Sequence, residues 1–163
     1  MVLLASAMKS FRNRRRVDFR ADDMYALVKD VESYPTFVPL CEALRVKRRN
    51  RTEEGKDIIV AEMEVGFKAV CERFTSRVTC DPAKREILVE YIDGPFKKLE
   101  NRWTFVDEPP GPDGATRSVV EFFISYEFRS RTLGLVMGAM FDQAFHKYSD
   151  AFVKRAGEVY GRR

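Results

Sequence analysis

Ile58-Ile-Val-Ala-Glu-Met-Glu-Val-Gly-Phe-Lys-Ala-Val-Cys-Glu-Arg-Phe-Thr-Ser-Arg-Val-Thr-Cys80 is the stretch whose alternation decides the fold class. Its first half places Ile59, Ala61, Met63, Val65 and Phe67 on one side and Glu62, Glu64 and Lys68 on the other. Period two with one apolar face is the pattern of a strand in a sheet with one wet side. From residue 70 onward the apolar parity switches to Phe74, Val78 and Cys80, while Arg73, Thr75, Arg77 and Thr79 face out. A parity switch flips every side chain, so a turn or bulge is expected within 68–71.

The same pattern extends in both directions. Upstream, Leu44 and Val46 alternate with Arg45 and Lys47 over 43–49; downstream, Ile87, Val89 and Tyr91 occupy alternate positions of 86–92. Asp93-Gly94-Pro95 is a strong turn signal. Leu99, Trp103 and Phe105 follow over 98–106, and after a polar loop Val120, Phe122, Ile124, Tyr126 and Phe128 alternate over 117–128. A short strand is expected at 16–20, with Val17 and Phe19 on one face. A helix is expected at 21–31, with Asp22 and Asp23 in its first turn. Prolines 35 and 39 restrict 34–41 to a turn or short helix. The last element is a helix over 131–160, about 45 Å long, capped by Ser130. Its apolar stripe, Leu133, Met137, Met140, Phe141, Ala144, Phe145, Tyr148, Phe152 and Ala156, has gaps of three and four.

Strands joined by short turns make an antiparallel meander, of about seven strands here. One face of such a sheet must be covered, and only the long helix is large enough. The expected class is α+β: a curved antiparallel sheet around a C-terminal helix, with a hollow where the two surfaces do not meet. One domain is expected over 16–160. Residues 1–15 are expected to be a disordered N-terminal segment, with Met8 an alternative start.

Composition supports a large apolar interior. Phe 13 and Tyr 6 stand against one Trp and one His, with 45% apolar and 33% charged residues. Net charge is +4, which suits an anionic membrane or a nucleic acid but demands neither. Cys41, Cys71 and Cys80 are widely spaced and form no C-x-x-C pair, so neither a disulfide framework nor a zinc site is suggested and a reducing compartment such as the cytoplasm fits. No apolar run reaches the roughly 18 residues of a membrane span.

The chemistry is sought among polar residues at inward strand positions, because buried polar groups need partners. Alternation places Glu72, Ser76, Tyr91, Asn101 and Tyr126 there. These residues either hydrogen-bond one another or serve a ligand. Val65, Phe122, Met137, Met140, Phe141 and Phe145 belong to the apolar surface such a ligand would touch. His146, set between Phe145 and Lys147 without a serine or cysteine signature, gives no basis for catalysis, and the scattered carboxylates give none for a metal. Two basic clusters, Arg12 with Arg14–Arg16 and Lys47–Arg49 with Arg51, are solvated faces or contacts for anionic lipid or ribosomal RNA. Residues 133–141 are apolar on nearly every side, a segment able to touch a membrane if exposed.

Several motifs stand together in order. Asp30-Val-Glu-Ser-Tyr-Pro-Thr-Phe-Val-Pro-Leu-Cys41, Val65-Gly-Phe67, Phe74-Thr-Ser-Arg-Val78 and Asp93-Gly-Pro-Phe-Lys-Lys-Leu99, followed by Asn101 and Trp103-Thr-Phe105, resemble the coenzyme Q-binding proteins of the START-like/polyketide cyclase superfamily. The same family includes ribosome-association toxins. The resemblance implies a helix-grip fold and non-catalytic binding of ubiquinone, or a similar prenyl lipid, in support of respiration. Ubiquinone would be a bound ligand, with no catalytic cofactor. The location implied is peripheral to the inner membrane, and mitochondrial in a eukaryote. Tyr34, Phe37, Pro39, Phe67, Phe74, Pro95, Phe96 and Trp103 are the motif residues carried over. Two alternatives remain open: a ribosome-subunit-binding inhibitor of translation, and an aromatase/cyclase-type enzyme, for which no acid–base pair stands out.

Overall fold

The computed structural model describes residues 8–67 and 69–161, with Phe67 described by its backbone alone. Seven strands, β1 (Lys9–Val17), β2 (Cys41–Arg51), β3 (Asp57–Phe67), β4 (Val70–Asp81), β5 (Glu86–Asp93), β6 (Phe96–Glu108) and β7 (Arg117–Phe128), form one antiparallel sheet. Its order is β1-β7-β6-β5-β4-β3-β2. From β2 to β7 every neighbour in sequence is a neighbour in space, the meander expected from the short turns. β3 and β4 are paired from Phe67↔Val70 to Asp57↔Cys80, with Ala69 in a turn between them, inside the range where one was expected. Pairing shifts at Cys41/Ala43, Val46/Arg48, Thr75/Ser76 and Phe96/Lys98 mark bulges that help the sheet curl.

The chain crosses from one edge of the sheet to the other through α1 (Ala21–Lys29) and a 3-10 helix (Val31–Thr36). The helix expected to reach residue 31 thus ends at Lys29, with Pro35 inside the tighter turn that follows. α1 has no side-chain cap of its own; the Ala21 amide is satisfied instead by Asp107 Oδ1 at 2.8 Å, which ties α1 to the end of β6. α2 (Arg131–Tyr160) lies across the concave face, and Ser130 Oγ accepts from the Leu133 amide at its start. The helix packs most closely on α1, β1 and β7. Its approach to the sheet is therefore lopsided, and β2–β5 face it across side chains only.

The N-terminal expectation needs correction. Residues 9–15 form most of β1, hydrogen-bonded along β7 from Lys9↔Tyr126 to Val17↔Ser118. A disordered segment ending at 15 and a strand at 16–20 are both displaced by this pairing, and the described domain begins before residue 16. Local alternation does not mark this strand, because its outward positions are Arg12, Arg14 and Arg16, which meet Glu121 and Glu108, and its inward set includes Asn13 and Arg15. Residues 1–7, on which the alternative start depends, lie outside the described residues.

The β5–β6 turn requires glycine. Gly94 has φ +142°, and a Cβ there would stand 2.6 Å from Phe74 Cβ. This turn seats Phe96, which is fully buried.

Asp57, at the start of β3, accepts from Arg51 at 2.9 Å and from Lys29 of α1. These bonds, Arg51's first, hold its carboxyl below the ordinary 3.8. A folded-state pKa below the unfolded one stabilises the fold above the unfolded value, and that contribution disappears as pH falls through the folded value. Asp57→Asn is expected to melt below the native protein at neutral pH, with the gap closing as pH drops under 3.8. A gap independent of pH in thermal melts would contradict the assignment.

Candidate ligand-binding site

Between α2 and the β2–β5 half of the sheet lies an apolar cavity. β2 and β3 supply Leu44, Met63 and Val65; β4 and β5 supply Phe74, Ser76, Val78, Ile87 and Val89. β6 and β7 add Leu99, Asn101, Trp103, Phe122 and Ile124. The helix contributes Phe141, Ala144, Phe145, Tyr148 and Phe152, and the segment before β2 closes one side with Tyr34, Val38 and Leu40. The room left is about 90 Å³, less than the roughly 150 Å³ that admits benzene in an engineered core. A ring-bearing ligand must therefore displace side chains. The lopsided seating of α2, closest to α1, β1 and β7, leaves side chains as the bridge to β2–β5, and side chains can shift.

The polar atoms on this wall fall into two groups. Asn101 donates to the Phe123 carbonyl at 2.8 Å and accepts from Trp103 Nε1 at 3.0 Å. Tyr34 donates to the Val28 carbonyl. These groups are engaged within the protein, Asn101 with Trp103 and the β7 backbone and Tyr34 with α1. Ser76, only 7% exposed, and Tyr148 are different: their hydroxyls have no hydrogen-bond partner among the described residues. Burial pushes Tyr148 well above the ordinary tyrosine range, so it stays protonated. The cavity thus presents two free hydroxyl donors in an otherwise apolar shell. Ser76 was foreseeable from strand parity; Tyr148 was visible only as one more member of the helix stripe.

Of the candidate ligand-binding residues, Tyr34, Val65, Phe74, Asn101, Trp103, Phe122, Phe141 and Phe145 meet at this wall. Others do not. Phe37 packs behind it, edge-on to Phe152 at 5.0 Å with the Arg155 guanidinium over its ring, and half-buried Pro39 lies outside the lining. Tyr91 is turned to the β5–β6 turn, where its hydroxyl accepts from the Phe96 amide at 3.1 Å. Tyr126 packs on Phe141 and Phe145 and borders a shallow depression shared with Lys9 and Leu135. Met137 is buried elsewhere, Met140 and Glu72 are half-buried, and none of the three lines the cavity. The side chain of Phe67 lies outside the described residues.

Little else here suits catalysis or a metal. His146 is exposed, with Nδ1 2.7 Å from the Asp142 carbonyl. Burial raises the Cys41 and Cys80 thiols to about 11, which keeps them unreactive. Glu42, Glu64 and Cys71 bring ligand atoms within 4.8 Å of one another. The Cys71 thiol, however, donates to Glu64 and is thereby held protonated, the wrong form for a ligand. No described helix is long and apolar enough to cross a membrane.

A sheet gripping one long helix around an apolar cavity defines a START-like protein. Residues 17–153 match the family described as polyketide cyclase/dehydrase and lipid transport, and the chain belongs to it. It is 32% identical to the ribosome association toxin RatA of Escherichia coli K12 over 99% of this chain and 96% of that one. It is 33% identical to the mitochondrial coenzyme Q-binding protein COQ10 homolog B of Xenopus laevis, over 98% of this chain and 63% of that longer protein. Among solved structures, an 18 kDa protein of Caulobacter crescentus superposes with TM-score 0.74 at 32% identity, covering 95% of this chain and all of that one. A START superfamily protein of Mycobacterium smegmatis (TM-score 0.72, 19% identity) and a Streptomyces aromatase/cyclase (TM-score 0.68, 19%) share the fold.

Proposed function

We propose that the protein binds a prenyl quinone, ubiquinone being the best fit, and holds it without chemical change as a carrier supporting respiratory electron transport. The observation that carries this reading is the pair of unpartnered hydroxyls, Ser76 and Tyr148, in an apolar chamber. A quinone ring offers carbonyl acceptors and no strong donor, so it matches two donors. Its tail matches the Phe, Met and Val wall, each buried CH₂ contributing about 0.8 kcal/mol. The coenzyme Q-binding relative points the same way. An aromatase/cyclase role has only the fold behind it, and fold alone does not fix chemistry.

The test is extraction. Protein purified from its own source is expected to yield ubiquinone near one per chain, and Ser76→Ala combined with Tyr148→Phe is expected to weaken quinone binding by roughly tenfold, about one hydrogen bond's worth. Folded protein that yields no prenyl quinone, or a double variant that binds as tightly as the native chain, would overturn the reading.

Ribosome association is the second reading, favoured by the toxin relatives. The β2 basic cluster supports it less than its charge suggests: Arg45 and Lys47 share Glu62, Arg49 meets Glu32 and Arg51 meets Asp57. Arg48 alone of that group has no acidic partner among the described residues. Co-sedimentation with ribosomal subunits that is lost with Arg48→Glu would establish this reading; its absence at low salt would remove it.

A further inference from the structure

Three spaces follow one another from the cavity to the β1 edge of the sheet. Trp103, Phe122, Phe145 and Phe152 line the cavity, and the same four rings line a second, smaller space of about 20 Å³ under β1. That space in turn shares Arg15, Val17 and Val153 with an open groove of about 800 Å³ between the end of β1 and the last turns of α2. One layer of side chains therefore separates the cavity from the small space, and one more separates the small space from water.

Both layers can part. Trp103 is held by Asn101 at 3.0 Å, but the phenylalanine rings carry no hydrogen bond; Phe122 and Phe145 meet only as rings 6.0 Å apart. In the outer layer Arg15 reaches across from β1 to Ser149 Oγ at 3.2 Å and to Asp150 on α2. The Asp150 side chain is 75% exposed, and an ion pair that wet opens at little cost.

The groove also contains a glycine that packing does not explain. Gly157 lies inside α2, where glycine weakens a helix relative to alanine, yet a Cβ there would meet nothing within 4 Å. Gly134 and Gly138, by contrast, have Phe128 and Lys9 as neighbours. What Gly157 leaves is open room beside Val17, Phe19 and Val153, the apolar surface of the groove.

We infer that a prenyl lipid held in the cavity runs its tail through the small space and along this groove, with Arg15 as the latch over the exit. The inference rests on the prenyl-quinone reading and deepens it by assigning the path of the tail. Volume demands an exit: the cavity and the small space together fall short of the roughly 150 Å³ that admits benzene. A polyprenyl chain cannot be enclosed there. The Tyr148 ring lies 5.8 Å from that of Phe122 and 5.3 Å from that of Phe145, so a head group bound to its hydroxyl starts its tail at the inner layer. Selection then falls on the head group, and a long tail gains contacts that a short one never reaches.

The experiment takes the full chain, made in a host lacking ubiquinone, and titrates it in detergent micelles with diprenyl or decaprenyl ubiquinone. Quenching of Trp103, the one tryptophan, reads binding from the cavity wall. Native protein is expected to bind both. Gly157→Phe puts a ring into the groove from a position with room for it, and is expected to melt no lower than the native chain. It should bind the diprenyl homologue as tightly and the decaprenyl one roughly tenfold more weakly, the contact of about two CH₂ groups. Arg15→Ala acts in the opposite direction: the tail no longer has an ion pair to part, and decaprenyl binding is expected to tighten by roughly twofold to fivefold, diprenyl binding staying the same. Decaprenyl binding unchanged in Gly157→Phe, or altered equally for the two homologues, would overturn the inference, and no change in Arg15→Ala would remove the latch. A native chain that binds neither homologue sinks the quinone reading itself; binding of both that ignores the two substitutions sinks the tail path alone.

Discussion

Replacing Phe96 with alanine is expected to remove about 3–5 kcal/mol of stability, the usual cost of emptying a phenylalanine site that cannot collapse. The residue is completely buried, with ring centroids of Phe128 at 4.8 Å, Phe74 at 5.4 Å, Tyr91 at 5.7 Å and Phe141 at 5.9 Å. Its neighbours come from β4, β5, β7 and α2, so no single element can move to fill the void. Its backbone is fixed as well: the amide donates to Tyr91 and the carbonyl accepts from Arg129. Phe123→Ala provides the contrast. That ring sits half-buried on the outer face of β7, under the Arg12 guanidinium at 4.7 Å, and should cost well under half as much. Urea unfolding checks both, through a shifted midpoint at constant slope. Equal losses for the two variants would mean that Phe96 does not knit the layers together.

Elements whose face alternates cleanly are legible in the sequence. β7 and α2 fall on the bounds expected for them, and β3 and β4 lie within a residue or two, because their inward positions are nearly all apolar and turn residues delimit them. β1 was hidden for a physical reason. An edge strand carries half the sheet's obligations, and here its inward Arg15 is satisfied not by apolar contact but by Ser149 and Asp150 on α2. A basic residue with a partner far along the chain cannot be told from one in solvent by local pattern.

The cavity wall was half legible for a related reason. Periodicity identifies which helix face is buried, but not which part of that face meets the sheet and which meets the hollow. Met137 and Phe141 are both buried and one turn apart; only Phe141 reaches the cavity. Likewise Tyr91 and Asn101 occupy inward positions, yet Tyr91 serves a turn and Asn101 orients Trp103. Partners decided their roles, and partners are set by tertiary structure.

Ala144→Phe should abolish ligand loading while leaving the fold intact. Ala144 is 4% exposed, sits on the cavity wall, and belongs to a helix in which phenylalanine is tolerated at Phe141, Phe145 and Phe152. The phenyl ring it gains is the kind of ring that fills a roughly 150 Å³ hole, and only about 90 Å³ is free. The new ring would therefore take all the available room and press on the rest of the cavity wall, an overpacking cost of about 1–3 kcal/mol. A native domain withstands that loss when its stability lies in the usual range of about 5–15 kcal/mol. Extraction of the variant is then expected to return no quinone, while Gln143→Phe, one position away but exposed, returns the native amount. The comparison isolates volume from helix chemistry. If Ala144→Phe is folded and carries its ligand undiminished, the guest lies somewhere other than between α2 and β2–β5, and the two free hydroxyls of Ser76 and Tyr148 have no part in holding it.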